Sequence, residues 1–292
     1  MRPDSRALTC WTHPSMPETW ASTGFVGRDA IRAGAVGPAR IARLRRLGLG
    51  TIGVAAGSSV WELAARTGAV NTVYLPPPSE IVPRIPDLLL SGPLLGDIGA
   101  SLSAIVFGVV IGHLIGLPMA AAAFRFRWLR ELLAPVIELV RGIAPLALLP
   151  AFLLLFGIGR GSAVAIIVWC AWVPIFLNLV EGLDSVDPVL VRSARATGAG
   201  SVKVITGVYV PASLGFYLAG LRLAIGASWL AVVAAEMLGS NNGLGFRIFE
   251  WSQVFRIADM YAAILVIGVL GLCMNALVSL VQRRALRWRT AS

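Results

Sequence analysis

Ionisable side chains set inside apolar stretches are the residues of this chain best placed to do chemistry. Glu138 and Arg141 stand in one such stretch, and Arg222 and Glu236 stand in another. Burying a charge in lipid costs several kcal/mol unless it is paired or faces water, so each is a functional candidate by default. The spacing of three puts Glu138 and Arg141 on one face of a helix. At 1.5 Å per residue, Arg141 lies about 18 Å and Arg222 about 15 Å from the same membrane surface. Two cations at similar depth would make a positive zone suited to anions along a pathway. The structural alternative pairs Glu138 with Arg141 or with Arg222 to hold the helices together, and both readings stay open at this point.

Covalent and redox chemistry lacks its side chains. The histidines are His13 and His113, too few and too distant for a triad or a paired-histidine metal site. Cys10, Cys170 and Cys273 are odd in number and share no ligand spacing, which supports neither a disulfide framework nor a metal cluster. Lys203 is the only lysine, and no G-x-x-x-x-G pattern precedes it, so the chain carries no phosphate-binding loop of its own. No catalytic residue, metal or cofactor is expected.

The elements that must position these groups cross a membrane. The chain is 57% hydrophobic and 14% charged, where a soluble domain carries about 25% charged residues. Six apolar stretches reach roughly the 20 residues of a transmembrane helix, near 44–65, 95–124, 132–156, 162–183, 212–238 and 260–281. Pro145 and Pro150 interrupt the third. Gly108, Gly112 and Gly116 recur every four residues in the second, a packing signal for close helix approach. Between the first two stretches a short helix is expected from Ser79, with Ser79 and Glu80 as its capping residues. The net charge of +10 resides in clusters at the stretch ends: Arg43, Arg45 and Arg46, then Arg125 to Arg130, then the 187–211 segment, then Arg283 to Arg289. That distribution is the positive-inside bias, with both termini cytoplasmic; it leaves no soluble basic domain for nucleic acid. Residues 1–40 are expected to be a disordered cytoplasmic arm and 41–292 the membrane domain.

The polar island Asp187–Pro211, DPVLVRSARATGAGSVKVITGVYVP, separates the fourth and fifth stretches. Apolar Val189, Leu190, Ala194, Val202, Ile205 and Val208 alternate with Arg192, Arg195 and Lys203. The pattern predicts short amphipathic helices outside the bilayer, open to a partner. Taken alone, it also fits an ordinary cytoplasmic loop.

That island resembles the coupling loop of permease subunits in binding-protein-dependent ABC importers, whose signature is E-A-A, three residues, Gly, nine residues, then I-x-L-P. Here Arg192-Ser193-Ala194 stand at E-A-A, Arg195, Ala196 and Thr197 fill the gap, Gly198 is the motif glycine, and Val208-Tyr209-Val210-Pro211 stand at I-x-L-P. The spacing is kept, but Arg192 replaces the acid. Further stretches are similar to the sulfonate, taurine, nitrate and bicarbonate subfamily: Leu75 to Glu80, Arg141 to Pro150, Phe156 to Gly159, and Ala234 to Gly239 leading to Gly243-Leu244-Gly245. Ala144 departs, where relatives place a second proline.

The resemblance implies an all-α membrane protein of about six transmembrane helices with a cytoplasmic coupling helix, the type I ABC importer permease fold. It implies coupling to an ATPase through Arg192, Ser193, Ala194, Arg195, Ala196, Thr197, Gly198 and Pro211. The expected partners are two ABC ATPase subunits, an external solute-binding protein, a second permease chain and the lipid bilayer. The expected cargo is a small anion or zwitterion such as an aliphatic sulfonate, taurine or nitrate. Alternatives are bicarbonate, a pyrimidine precursor, or a stand-alone secondary transporter.

Overall fold

The structure is a computed structural model that describes residues 38–286, with side chains from Ile52 onward. The expected arm at 1–40 lies outside the described residues except for its last three. The chain divides into two units, one ending at Gly57 and the other beginning at Ser58. Of the first unit, 38–57 are described and are helical.

Among the described residues the secondary structure is entirely helical. Helix α1 (Pro38–Arg66) occupies the position of the first expected span. Two short helices follow, α2 (Pro78–Ile81) and α3 (Arg84–Leu90). Helix α2 starts one residue before the expected cap: Pro77 precedes it in extended backbone, and Ser79 lies inside it. Pro78 takes the first helical position, where its missing N–H costs nothing. Ser79 instead bonds to α1, its N–H and hydroxyl donating to Glu62 at 3.1 and 2.8 Å.

Helices α4 (Leu94–Arg125) and α7 (Arg160–Asp184), with the continuous helical run Ser201–Gly239 and α12 (Ile257–Ala285), are long and apolar enough to cross a membrane. A fifth span is broken. Helix α5 (Arg127–Gly142) meets a 3₁₀ turn (Pro145–Leu148) and helix α6 (Leu149–Phe156) at 91°. Of the two interrupting prolines, Pro145 makes the break. The residue before a proline is driven out of the helical region, and Ala144 sits at φ −63°, ψ 125° with Ile143 extended beside it. Pro150 falls in the first turn of α6, where it is tolerated.

Helix α7 (Arg160–Asp184) is the centre of the bundle, with α4 on one side and the helical run Ser201–Gly239 on the other. The glycine stripe of α4 explains the closeness. A Cβ on Gly112 would come within 2.8 Å of Ala171 Cβ, and one on Gly116 within 2.8 Å of the Trp172 carbonyl oxygen. A Cβ on Gly108 would strike the Ile167 side chain. With no side chain in the way, the α4 and α7 backbones gain dispersion contacts, the main source of helix association in lipid. Ile166, Ile167 and Ala171 are fully buried as a result.

Past α7 the chain forms helix α8 (Pro188–Ala196) and helix α9 (Ser201–Val204). A π-turn (Ile205–Tyr209) then leads without a break into α10 (Val210–Gly239). The apolar stretch expected at 212–238 therefore lies within a helical run that already begins at Ser201. Pro211 lies in the first turn of α10, and the wider π-turn just before it accommodates the backbone a proline would otherwise obstruct. Helix α11 (Leu244–Gln253) caps the other end of α10.

Candidate functional site

The 187–211 segment is built from two turns that its sequence dictates. Asp187 caps α8, its Oδ1 accepting the Val189 N–H at 2.7 Å, and Pro188 fills the first helical position. At the far end Gly198 takes φ +83°, the left-handed region that favours glycine. Around it the Ala199 N–H donates to Ala194 O at 3.1 Å and the Gly198 N–H to Arg195 O at 3.0 Å, the paired bonds of a Schellman turn. The helix is thus closed at both ends and reversed sharply onto α9.

The segment buries a face that its sequence pattern did not single out. Val186, Val191 and Val204 form its small core, with Ala194, Ala199 and Val208 packed on it. Val189, Leu190, Val202 and Ile205 point to the surface, each more than half exposed. Arg192, Ser193, Arg195, Ala196, Thr197 and Gly198 are exposed beside them. Among the described residues no carboxylate pairs with Arg192, Arg195 or Lys203. The surface is therefore both apolar and cationic, and no other described residue covers it.

The four charges singled out within the spans are not brought together. Arg141 donates to Glu138 at 3.4 Å on exposed α5, and Arg141 also lines a cavity of about 470 Å³ between α5, α7 and α10, with Asn178 on its wall. Arg222 faces the other side of α10, donating to Asn275 Oδ1 of α12 at 3.1 Å over a separate cavity of about 310 Å³. Glu236 is 2% exposed.

Glu236 belongs to a network that pattern reading did not find. The first three N–H groups around the start of α11 have no helical acceptors. Gly243 donates to Asp97 at 3.0 Å, Leu244 to Ser101 Oγ at 3.0 Å, and Gly245 to Glu236 at 3.0 Å. The Ser101 hydroxyl in turn donates to Glu236 at 2.8 Å. Helices α4 and α10 thus cap α11 with side chains, and two carboxylates sit at its positive end. Arg247 closes the set, donating to Asp97 at 2.7 Å and to Glu250 at 2.5 Å. Burial works against the Arg247 charge, but these carboxylates outweigh it and hold its pKa above the ordinary arginine value. The glycines are required by shape: a Cβ on Gly243 would strike the Glu236 carboxyl, and one on Gly245 the Val233 carbonyl. Asn241 and Asn242 are exposed on the turn ahead, where the Ser240 hydroxyl donates to the Asn242 carbonyl at 2.8 Å. One signal for the network was present in the sequence: Asp97 stands in the first turn of an otherwise apolar span.

Residues 100–287 match the family described as the binding-protein-dependent transport system inner membrane component. The chain belongs to that family. It is a permease of the sulfonate, taurine and bicarbonate group of ABC importers, an inner-membrane transport component and not an enzyme. The permease is 34% identical over 248 residues to a Brucella abortus protein named as a probable ABC transporter permease, covering 85% of this chain and 98% of that one. It is 30% identical over 255 residues to the taurine transport system permease protein of Escherichia coli, covering 85% and 91%. To the bicarbonate transport system permease protein of Synechococcus elongatus it is 32% identical over 241 residues, covering 78% and 85%. Its fold is that of the MetNI methionine ABC transporter permease chain, solved in inward-facing conformations, at a TM-score of 0.58 and 16% identity over 66% of this chain and 95% of that one.

Proposed function

We propose that the permease translocates a small anionic or zwitterionic solute, an aliphatic sulfonate, taurine or nitrate, with both its termini cytoplasmic and its 187–211 segment gripped by an ATPase. The complex holds two copies of this chain, two ATPase subunits and an external solute-binding protein. The observation that carries this reading is the uncovered surface of α8: Val189 and Leu190 supply apolar area, Arg192 and Arg195 supply charge, and the Gly198 turn fixes their orientation. Nucleotide closing the ATPases moves both segments and rocks the spans, and the binding energy for that swing comes from the partner, which binds the two states unequally. With Arg192 in place of the motif acid, the facing ATPase surface is expected to offer a carboxylate.

Arg141 and Arg222, each on the wall of a cavity, are proposed to bias the pathway toward anions, with Glu138 tempering Arg141. Glu236 holds the outer wall of that pathway in place through α11. Relatives named for taurine and for bicarbonate stand at similar identity, so bicarbonate is the second reading for the cargo. The test is titration of the cognate solute-binding protein with taurine, alkanesulfonates, nitrate and bicarbonate. Tight binding of a sulfonate or nitrate with no response to bicarbonate is the expected result; the converse selects the second reading.

A further inference from the structure

A groove of about 850 Å³ runs down the bundle between α4, α6 and α7, and the transport mechanism makes no use of it. Two ridges form its sides. On α4, Phe107, Ile111 and Ile115 recur every four residues; on α7, Val164, Val168 and Trp172 do the same. Phe152 and Phe156 of α6 form the remaining wall. Phe107, Ile111 and Ile115 are 56%, 40% and 40% exposed, so no described residue fills the space between the ridges.

One end of the groove carries the only charge on its lining, Arg160. The guanidinium lies over the Phe107 ring at 5.1 Å and has no carboxylate partner among the described residues. It stands at the first position of α7, the positive end of the helix dipole, where a cation does nothing to stabilise the helix. An exposed arginine seated over an aromatic ring keeps donors free for an anion, and the planar guanidinium fork matches the two oxygens of a phosphate.

The groove's length identifies the rest of the ligand. From Arg160 to Trp172 the α7 ridge rises about 18 Å at 1.5 Å per residue. That is close to half of the roughly 30 Å hydrocarbon core, the depth of one leaflet. A cation at the membrane surface above an apolar channel one leaflet deep has the shape and charge of a single phospholipid. We propose that this groove is a binding site for an anionic phospholipid, with the phosphate on Arg160 and an acyl chain between the α4 and α7 ridges. The lipid acts as a packing element, filling the space between the broken fifth span and α4. A second copy of this chain would be the rival occupant, but an unpaired cation at the mouth of an otherwise apolar groove favours a headgroup over an apolar helix face.

The test uses the full chain purified in mild detergent, offered phosphatidylglycerol or phosphatidylcholine and read by native mass spectrometry. Phosphatidylglycerol is expected to be retained at one per chain, about ten-fold over phosphatidylcholine. Arg160→Gln is expected to bring the two lipids level, and Val168→Trp, which fills the groove, to abolish retention of both; melting of each variant without added lipid checks that it remains folded. Equal retention of the two lipids by the unaltered chain overturns the proposal, as does undiminished phosphatidylglycerol binding by a folded Arg160→Gln. A photocrosslinker at Ile111 that captures a second copy of the chain and not lipid overturns it as well.

Discussion

Asp97 and Gly245 carry more of the outer architecture than their numbers suggest. Asp97 takes a backbone N–H of the α11 turn and the Arg247 guanidinium at once, so Asp97→Asn leaves Arg247 half-buried with its main counter-charge gone. Removing one member of a buried pair costs about 3–5 kcal/mol, and thermal melting of the purified chain in detergent is expected to show a large drop. Asp97→Ala paired with Arg247→Met is expected to lose less than the sum of the single changes, because the double variant leaves no charge stranded. Gly245→Ala drives a methyl into the Val233 carbonyl and is expected to lower folded yield. Arg222→Gln separates the two roles weighed for that side chain. It keeps a hydrogen bond to Asn275 within reach, so folded yield is expected to hold while anion uptake falls; equal loss of both would assign Arg222 to structure. These positions were unevenly legible. Gly198 could be read from its spacing and stands at positive φ. Glu236 was visible as a charge in a span, but its donors lie on α4 and α11, and no local pattern reports a contact across 135 residues.

Helix α8 was legible because its start and stop signals are local: Asp187-Pro188 at one end and Gly198 at the other. Its buried face was not, because the segment packs on α9 and the π-turn, which put Val191 and Val204 inward and leave Val189 and Leu190 out. The boundary between the island and the 212–238 stretch was misplaced for a related reason. A proline ordinarily ends a helix, but here the π-turn at Ile205–Tyr209 absorbs Pro211 and the helix continues. The continuity has a mechanical consequence: a push on α9 passes into α10 with no flexible joint between them. A Gly-Gly insertion after Thr206 is expected to leave melting nearly unchanged while uncoupling ATP hydrolysis from uptake, which parallel hydrolysis and uptake assays on the reconstituted complex would read. The glycine stripe of α4 was legible as a packing signal, and α7 is the helix that uses it. Gly112→Leu forces α4 off α7 and is expected to cost at least the 1–3 kcal/mol of an overpacked core, read as a lowered melting temperature.

The whole permease divides its work by position. The network of Asp97, Ser101, Glu236 and Arg247 ties α4, α10 and α11 together at one end of α10. The 187–211 segment offers an uncovered apolar and cationic surface at the other end of α10. Between them, α7 packs against α4 and α10, and the broken fifth span borders a separate set of cavities. A rigid cap at one end of α10 and a protruding lever at the other are what a chain needs if force arrives from elsewhere. The absence of a phosphate-binding loop agrees, since the only lysine, Lys203, lies in the lever itself. The most direct measurement is solute uptake into proteoliposomes holding the permease and its ATPase, with the solute-binding protein supplied at the external face, compared for the unaltered chain and for Arg192→Glu/Arg195→Glu, which reverses the charge of the α8 surface. The account predicts ATP-dependent uptake by the first, at least ten-fold less by the second with its melting temperature unchanged, and none from the permease alone. ATP-driven uptake that survives the charge reversal, or uptake by the permease without an ATPase, would contradict it.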